Sequence, residues 1–375
     1  MTWSDVSYRY KKKITIDHTK VSGDEVDFPV LISVTDANLA DISNGGHVQS
    51  SSGYDIVFYN SAEDTLLKHE IQQYTNTSGL LIFWVKVPVL SSTSNTIIYI
   101  YYGKAGVAAD PSSTDTWDSG FFVVYHMDNS SGDLTDSTAN GRTTSAVKTP
   151  HYQETGKIGY CVGFDAWTSD PNGDYFTDIM PFGDINLQSL AVEIWTKQTG
   201  SGWDIMFGAP YGGQNRFYFS AYEGGGHDDY YTGWGSTYTH WGTYTGGDWI
   251  YQAYVGDTGY TIGCYEDGGS LSAIADSSTF SISDGPHIAS FDNTYGYWDG
   301  EIDEVRMSNS IRSENWFATT YENENSPSTF ISFSVEMTIA GIEMFLNTLS
   351  KYGNEVYIST DKLGFDVSQS TLAIN

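Results

Sequence analysis

From residue 8 to residue 104, apolar and polar residues alternate in short runs such as Lys13-Ile14-Thr15-Ile16, Phe28 to Val34, Asp55 to Tyr59, Leu80 to Val87 and Thr96 to Tyr102. A period of two carried by β-branched and aromatic side chains predicts strands. Between these runs stand Val21-Ser22-Gly23-Asp24, Asn44-Gly45-Gly46 and Asn76-Thr77-Ser78-Gly79, which are turn compositions. Hairpins at this spacing close most readily as a β-sandwich. Residues 105–116 are small and polar, no strand pattern crosses them, and they read as a linker. Strand patterns resume at Trp117. Near the end the rhythm changes. Ile339, Ile342, Phe345, Leu346 and Leu349 recur at helical spacing and Gly353 stands where a helix would stop, so the chain's only convincing helix is expected over 339–352. Two strand-like pieces, Glu355 to Ile358 and Gly364 to Val367, follow it. The pattern as a whole predicts an all-β protein of two β-sandwich domains, with residues 334–375 as a short α+β appendage.

Composition supports the same class. The 375 residues suffice for two cores, since single cores seldom grow beyond about 250 residues. With 28 Tyr, 11 Trp and 39 Gly, the chain is rich in residues that favour strands and the turns between them. Lys and Arg total 17 against 47 Asp and Glu, a formal charge of -30. Such a field repels polyphosphates and anionic membranes, so nucleic acid is not an expected partner. Carboxylates in Gly/Asn/Asp loops are the usual oxygen ligands of calcium, while a halophilic setting accounts for the charge equally well. Two cysteines, Cys161 and Cys264, are too few for a disulfide scaffold, and whether they are joined stays open. No apolar leader opens the sequence, and no apolar run approaches the ~20 residues that span a bilayer, so membrane insertion is not expected.

Particular runs carry family resemblances. Tyr-Lys-Lys-Lys-Ile-Thr-Ile-Asp-His-Thr-Lys-Val from Tyr10, Asp-Phe-Pro-Val-Leu-Ile from Asp27, Asp-Ile-Val-Phe from Asp55, His-Glu-Ile from His69, Trp-Val-Lys-Val-Pro from Trp84 and the Ile-Tyr-Tyr-Gly-Lys around Tyr102 resemble the family catalogued as domain of unknown function 2341, placed over residues 1–104. That family occurs in bacterial and archaeal surface proteins and in viral structural proteins, commonly before a lectin-like module. The resemblance implies context more than chemistry. Phe-Val-Val-Tyr-His-Met-Asp from Phe122, the run from Asp136 to Gly141, the run from Gly156 to Asp165, Leu190 to Lys197 and Gly300 to Ser313 resemble successive signatures of laminin G-like, concanavalin A-type jelly rolls. That resemblance covers residues 117–333, and its middle, from Gly200 to Gly247, departs from the family's ordinary pattern. Residues 339 onward are similar to the opening of eukaryotic checkpoint sliding clamps, over too short a stretch to carry a clamp's function.

Three constellations could carry chemistry. Glu301-Ile302-Asp303-Glu304 resembles the acidic strand of laminarinase-type hydrolases. Strand alternation puts positions 301, 303 and 305 on one face. The second glutamate such catalysis needs would fall at 305 or 306, where Val305 and Arg306 stand. Asp128, Asp136, Asn140, Asp165 and Asp303 fall, by the resemblance, in loops or at strand ends, where they are candidate ligands of a structural calcium, with Asx-turns as the alternative for Asp136 and Asn140. Between Tyr218 and Trp249 the chain interleaves rings with glycines. Tyr230, Tyr231, Trp234, His240, Trp241 and Tyr244 form a candidate sugar-binding set, because rings stack on the C–H faces of sugars and polar groups pair with hydroxyls. The motifs of serine hydrolases, phosphate-binding loops and zinc proteases are absent. The expected function is therefore a non-catalytic, carbohydrate-binding or adhesive protein of a cell surface, secreted assembly or virion. It would meet a glycan or glycoprotein, with room for homo-oligomers. A glycoside hydrolase working through the jelly-roll cleft and a purely structural fibre or virion subunit are the alternatives.

Overall fold

The computed structural model describes residues 3–165, 173–177, 189–200, 203–209, 217–222, 247–257, 261–269, 272–275, 286–290 and 296–339. The chain is all-β with a small helical addition. It divides into two compact units, Met1–Thr116 with Ser326–Asn375, and Trp117–Asn325.

In the first unit the alternating runs become β1 (Tyr10–Ile16), β2 (Glu25–Thr35), β3 (Val57–Asn60), β4 (Leu66–Leu67), β5 (His69–Thr75), β6 (Leu80–Leu90) and β7 (Thr96–Tyr102). One sheet runs β1-β7-β3-β4 and the other β2-β6-β5, with antiparallel neighbours throughout. Ile14, Ile16, Val30, Ile32, Phe58, Phe83, Val85 and Ile100 are wholly buried. Phe58 of the first sheet meets Phe83 of the second edge-on at 6.1 Å, and His69 touches both rings. Period-two burial on both sheets is what joins them as a sandwich.

The second unit contains β8 (Phe121–Tyr125), β9 (Ser145–Val147), β10 (His151–Thr155), β11 (Tyr160–Phe164), β12 (Tyr175–Thr177), β13 (Ser189–Gln198), β14 (Trp203–Ala209), β15 (Phe217–Tyr222), β16 (Ile250–Asp257), β17 (Thr261–Glu266), β18 (Ser272–Ala275), β19 (His287–Ile288) and β20 (Gly300–Ser308). One sheet is ordered β10-β11-β20-β13-β16-β17-β18, with β8 also on β20, and the other β15-β14-β19-β12-β9. Their inner faces enclose one apolar core, to which Phe164, Val192, Ile194 and Ile302 come from the first sheet and Phe176, Phe207 and Ile288 from the second. The buried thiol Cys161 is unpaired. It stands on β11, four strand positions from the β17 that carries Cys264, or about 19 Å at the usual strand spacing. No disulfide spans that distance.

A helix, α1 (Glu314–Asn325), follows β20. It corrects the expectation that the only helix stands at 339–352. Its buried positions include Thr319, Thr320, Asn323 and Glu324 beside Trp316 and Phe317, so no apolar stripe marks it in the sequence. Glu324 is inside because β13 and β20 offer it partners. Glu324 accepts from Trp195 Nε1 at 2.6 Å and from Arg306 Nη1 at 2.5 Å.

After α1 the chain adds a helical turn, α2 (Pro327–Phe330), and the strands β21 (Ile331–Phe333) and β22 (Met337–Thr338). Both pair with β1, along the edge not taken by β7, in the registers Ile14↔Phe333 and Lys11↔Met337. Asp17 N donates to Phe330 O at 3.0 Å and Ser334 N to Lys13 O at 2.9 Å. Residues 326–333, which the sequence reading assigns to the second domain, thus complete a sheet of the first unit. The helix and strands expected beyond residue 339 lie outside the described residues. Among the described residues no helix is long and apolar enough to cross a membrane.

Candidate metal centre

At one end of the second unit, three side chains from both sheets converge. His151 opens β10 opposite Gly163, Asp165 directly follows β11, and Asp174 directly precedes β12. One ligand atom from each lies within 4.8 Å of the others. A shared ion with donors at roughly 2.0–2.5 Å requires such separations. His151 Nε2 and Asp165 Oδ2 are 3.4 Å apart on half-exposed side chains. Asp174 is buried and accepts from Thr149 N at 2.9 Å through Oδ1. Its Oδ2 faces Asp165 N at 3.4 Å. Gly173 makes the approach feasible, because a Cβ there would stand 2.9 Å from Asp165 O and 2.7 Å from Tyr297 Cβ.

The electrostatics favour a cation. The nearby Asp299 carboxyl is pushed above the usual carboxylate range, by burial first and then by the charge of Asp165. Several acids therefore crowd one rim, with a single imidazole among the converging ligands. A bound divalent ion would relieve that repulsion.

Of the five calcium candidates from the sequence, the structure brings only Asp165 into this cluster. Asp136 is buried and fully used, accepting from the N–H groups of Val124, Thr138 and Arg142 and from the Thr138 hydroxyl. Its bond to Thr138 N is an Asx-turn. Asn140 donates to the carbonyls of Phe121 and Phe122. Asp128 is half-buried just beyond β8. Asp303 is wholly buried within β20 and accepts from Ile158 N at 2.8 Å. His151 and Asp174 escaped the sequence reading. Their one signal is the polar run His151-Tyr-Gln-Glu-Thr155, which lacks the alternation of a core strand and becomes an exposed edge. The proposed sugar ligands Tyr230, Tyr231, Trp234, His240, Trp241 and Tyr244 lie outside the described residues.

The acidic strand departs from simple alternation. Trp195 pairs with Asp303 but Glu193 with Arg306, so β20 carries a bulge, with Glu304 at φ 50°. Val305 therefore joins Ile302 and Met307 in the core, rather than sharing a face with Glu301 and Asp303. Glu304 contacts His126 Nδ1 at 2.9 Å and Arg306 Nη2 at 2.7 Å. Burial raises its pKa, but His126 and Arg306 outweigh that and hold it below the ordinary glutamate value. Asp303 goes the other way, raised by burial and then by Glu304. Glu301, near the start of β20, is partly buried beside Lys197, 3.4 Å away.

A family model described as a domain of unknown function, DUF2341, matches residues 52–143. That range starts inside the first unit and runs past its boundary at Thr116, whereas the sequence reading placed the resemblance at 1–104. No curated protein matches the chain. Among solved structures, domain 4 of AbnA, a GH43 extracellular arabinanase from Geobacillus stearothermophilus solved with arabinotriose, is similar at 19% identity and TM-score 0.42, over 53% of this chain and 96% of that one. The binding domain of botulinum neurotoxin DC in complex with rat synaptotagmin II is similar at 7% identity and TM-score 0.43, over 55% of this chain and 52% of that one. The same toxin domain in complex with SialylT gives 8%, 0.42, 56% and 52%. The chain thus spans about half the length of these toxin chains. Likenesses this distant say nothing of function.

Proposed function

We propose that this is a non-catalytic recognition protein that binds glycans or glycoprotein surfaces, displayed on a cell envelope, a secreted assembly or a virion. The second unit, a jelly roll of laminin G-like type, is its recognition head, and the first is its support. The observation that carries this reading is the rim formed by His151, Asp165 and Asp174. The buried Asp174 anchors an ion from the protein side, while the two half-exposed side chains leave coordination positions open to solvent. Neighbouring hydroxyls of a sugar can fill those positions. With an imidazole in the set, manganese or zinc matches the donors better than the calcium expected from the sequence. The rings between Tyr218 and Trp249, Trp234 and Trp241 foremost, supply the stacking surface. The burial of Asp303 and Glu304, with Val305 and Arg306 standing where a second glutamate would be needed, supports a non-catalytic reading, because Glu301 is left without a partner carboxyl to flank a glycosidic bond.

A glycan array with the full chain, run with and without chelator, tests this reading. The expected result is saturable binding that falls at least tenfold with chelator and in Asp174→Ala, together with calorimetric uptake of Mn2+ by the native chain alone. Glycan binding indifferent to chelator would remove the cation from the account. A blank array would leave the structural-subunit alternative, and release of reducing sugar from a β-glucan panel would restore the hydrolase.

A further inference from the structure

Lys12 occupies a core position. Along β1 it shares a face with Ile14 and Ile16, both wholly buried, and it is itself only 4% exposed. A lysine ammonium is among the groups least often found there, and its presence calls for a partner. The partner is Asp36, whose Oδ2 abuts Lys12 Nζ. Asp36 comes directly after β2, in the opposite sheet. Its carboxyl is held in place through Oδ1, which accepts from Asn38 N at 2.9 Å, while its own N–H donates to Gly79 O at 3.2 Å. An amine on one sheet and a carboxyl on the other therefore face each other at the end of a shared apolar core.

Proton-handling groups stand alongside. Glu336 falls in the interruption between β21 and β22, and the flanking registers Ile14↔Phe333 and Lys11↔Met337 set that interruption next to Lys12. Glu336 Oε2 accepts from Tyr102 Oη at 2.5 Å and meets His47 Nδ1 at 2.9 Å. The Tyr102 phenol is pushed far up by burial and then by the charges of Glu336 and Asp36, which places both acids near its ring.

We propose that Lys12 and Asp36 form an intramolecular amide that ties the two sheets of the first unit together covalently. One ammonium proton passes to Oδ2, the Nζ lone pair so freed forms a bond to Asp36 Cγ, and the Cγ–Oδ2 bond breaks. Of the three ammonium protons, one remains on the amide nitrogen and two leave with Oδ2 as water. Charge balances, since an ammonium and a carboxylate give a neutral amide, and no oxidant or cofactor is required. The bond closes a ring from residue 12 to residue 36, so that the sheets cannot part without breaking a covalent bond. It would also constrain the unfolded chain as any cross-link does. The inference is independent of glycan recognition.

The neighbouring Lys11 provides a contrast. On the other face of β1 its Nζ meets Glu63 Oε2 at 2.5 Å beneath the rings of Trp3 and Tyr99, each 4.9 Å away. Glu63 also accepts from the Tyr101 phenol. That pair lies within an aromatic cluster on a single sheet and bridges no gap between layers.

Intact-mass measurement on the denatured full chain decides the matter. The expected mass is lower than the sequence requires by one water, with a branched tryptic peptide joining Lys12 to Asp36. Lys12→Arg and Asp36→Ala should each return to the full mass of their own sequences. A native chain at full sequence mass overturns the proposal whether or not the variants fold. A lost water mapped to Lys11 and Glu63, or elsewhere, overturns it equally.

Discussion

His69 and Glu324 are both buried, and burial moves their titrations in opposite directions. Burial pulls His69 in the first unit down to about 4, so the fold holds a neutral ring. The unfolded chain protonates it below its ordinary value of about 6.5. Stability from this group is complete above that value and is lost as pH falls toward 4, a decline of roughly 3 kcal/mol. In the second unit Glu324 rises to about 7, by burial against the pull of Arg306, because Glu304 shares the same guanidinium. Glu266 rises to about 7 by burial and by Asp267. These acids keep protons in the fold that the unfolded chain releases near pH 4.5, so their contribution is complete below that value and is lost as pH rises through 7. Between pH 7 and pH 5 the first unit should weaken while the second strengthens. Urea unfolding followed by unit-specific hydrogen exchange checks this, and His69→Phe should remove the acid sensitivity of the first unit alone. In the sequence His126 stood out by its apolar run and His240 by its ring-rich one, whereas His69 and His151 were among the scattered rest. Only tertiary contacts place His69 between two phenylalanines, His126 against Glu304 and His151 at an open rim.

Strands were legible wherever alternation was clean, as in β1, β2, β6 and β7. They were misread where a backbone irregularity broke the period. The bulge in β20 is the main case: one residue in the left-handed region shifts every side chain after it, which moves Val305 into the core and leaves Arg306 among the acids. Helix α1 was hidden for another reason, since its buried face is polar and its partners are strands distant in sequence. The pairing of β21 with β1 joins residues more than 300 apart along the chain. It yields a prediction that contradicts the domain boundary read from sequence. Phe330 is wholly buried, and Phe330→Ala should destabilise the first unit by about 3–5 kcal/mol while sparing the second. Calorimetry resolving two transitions would show which one moves.

Over the whole molecule the formal charge of -30 is the dominant long-range term. Repulsion among carboxylates opposes compaction and is screened as ionic strength rises. Melting temperatures of both units should therefore climb between low salt and about 0.5 M NaCl, where the Debye length falls to only a few ångströms. Thermal scans across that range measure the effect, and a flat response would mean that local pairing already offsets the net charge. The same excess of acid is felt locally at the rim, where burial and then the charge of Asp165 raise the Asp299 carboxyl.

The sequence alone determined the all-β class, the succession of most strands and the acidic character, because period-two burial and net charge are properties of neighbouring residues and of sums. Only the tertiary structure decided which strands share a sheet, that the chain returns after residue 325 to complete the sheet it began, and that His151, Asp165 and Asp174 meet. Those are convergences of segments far apart along the chain, and local pattern carries no record of distance across a fold.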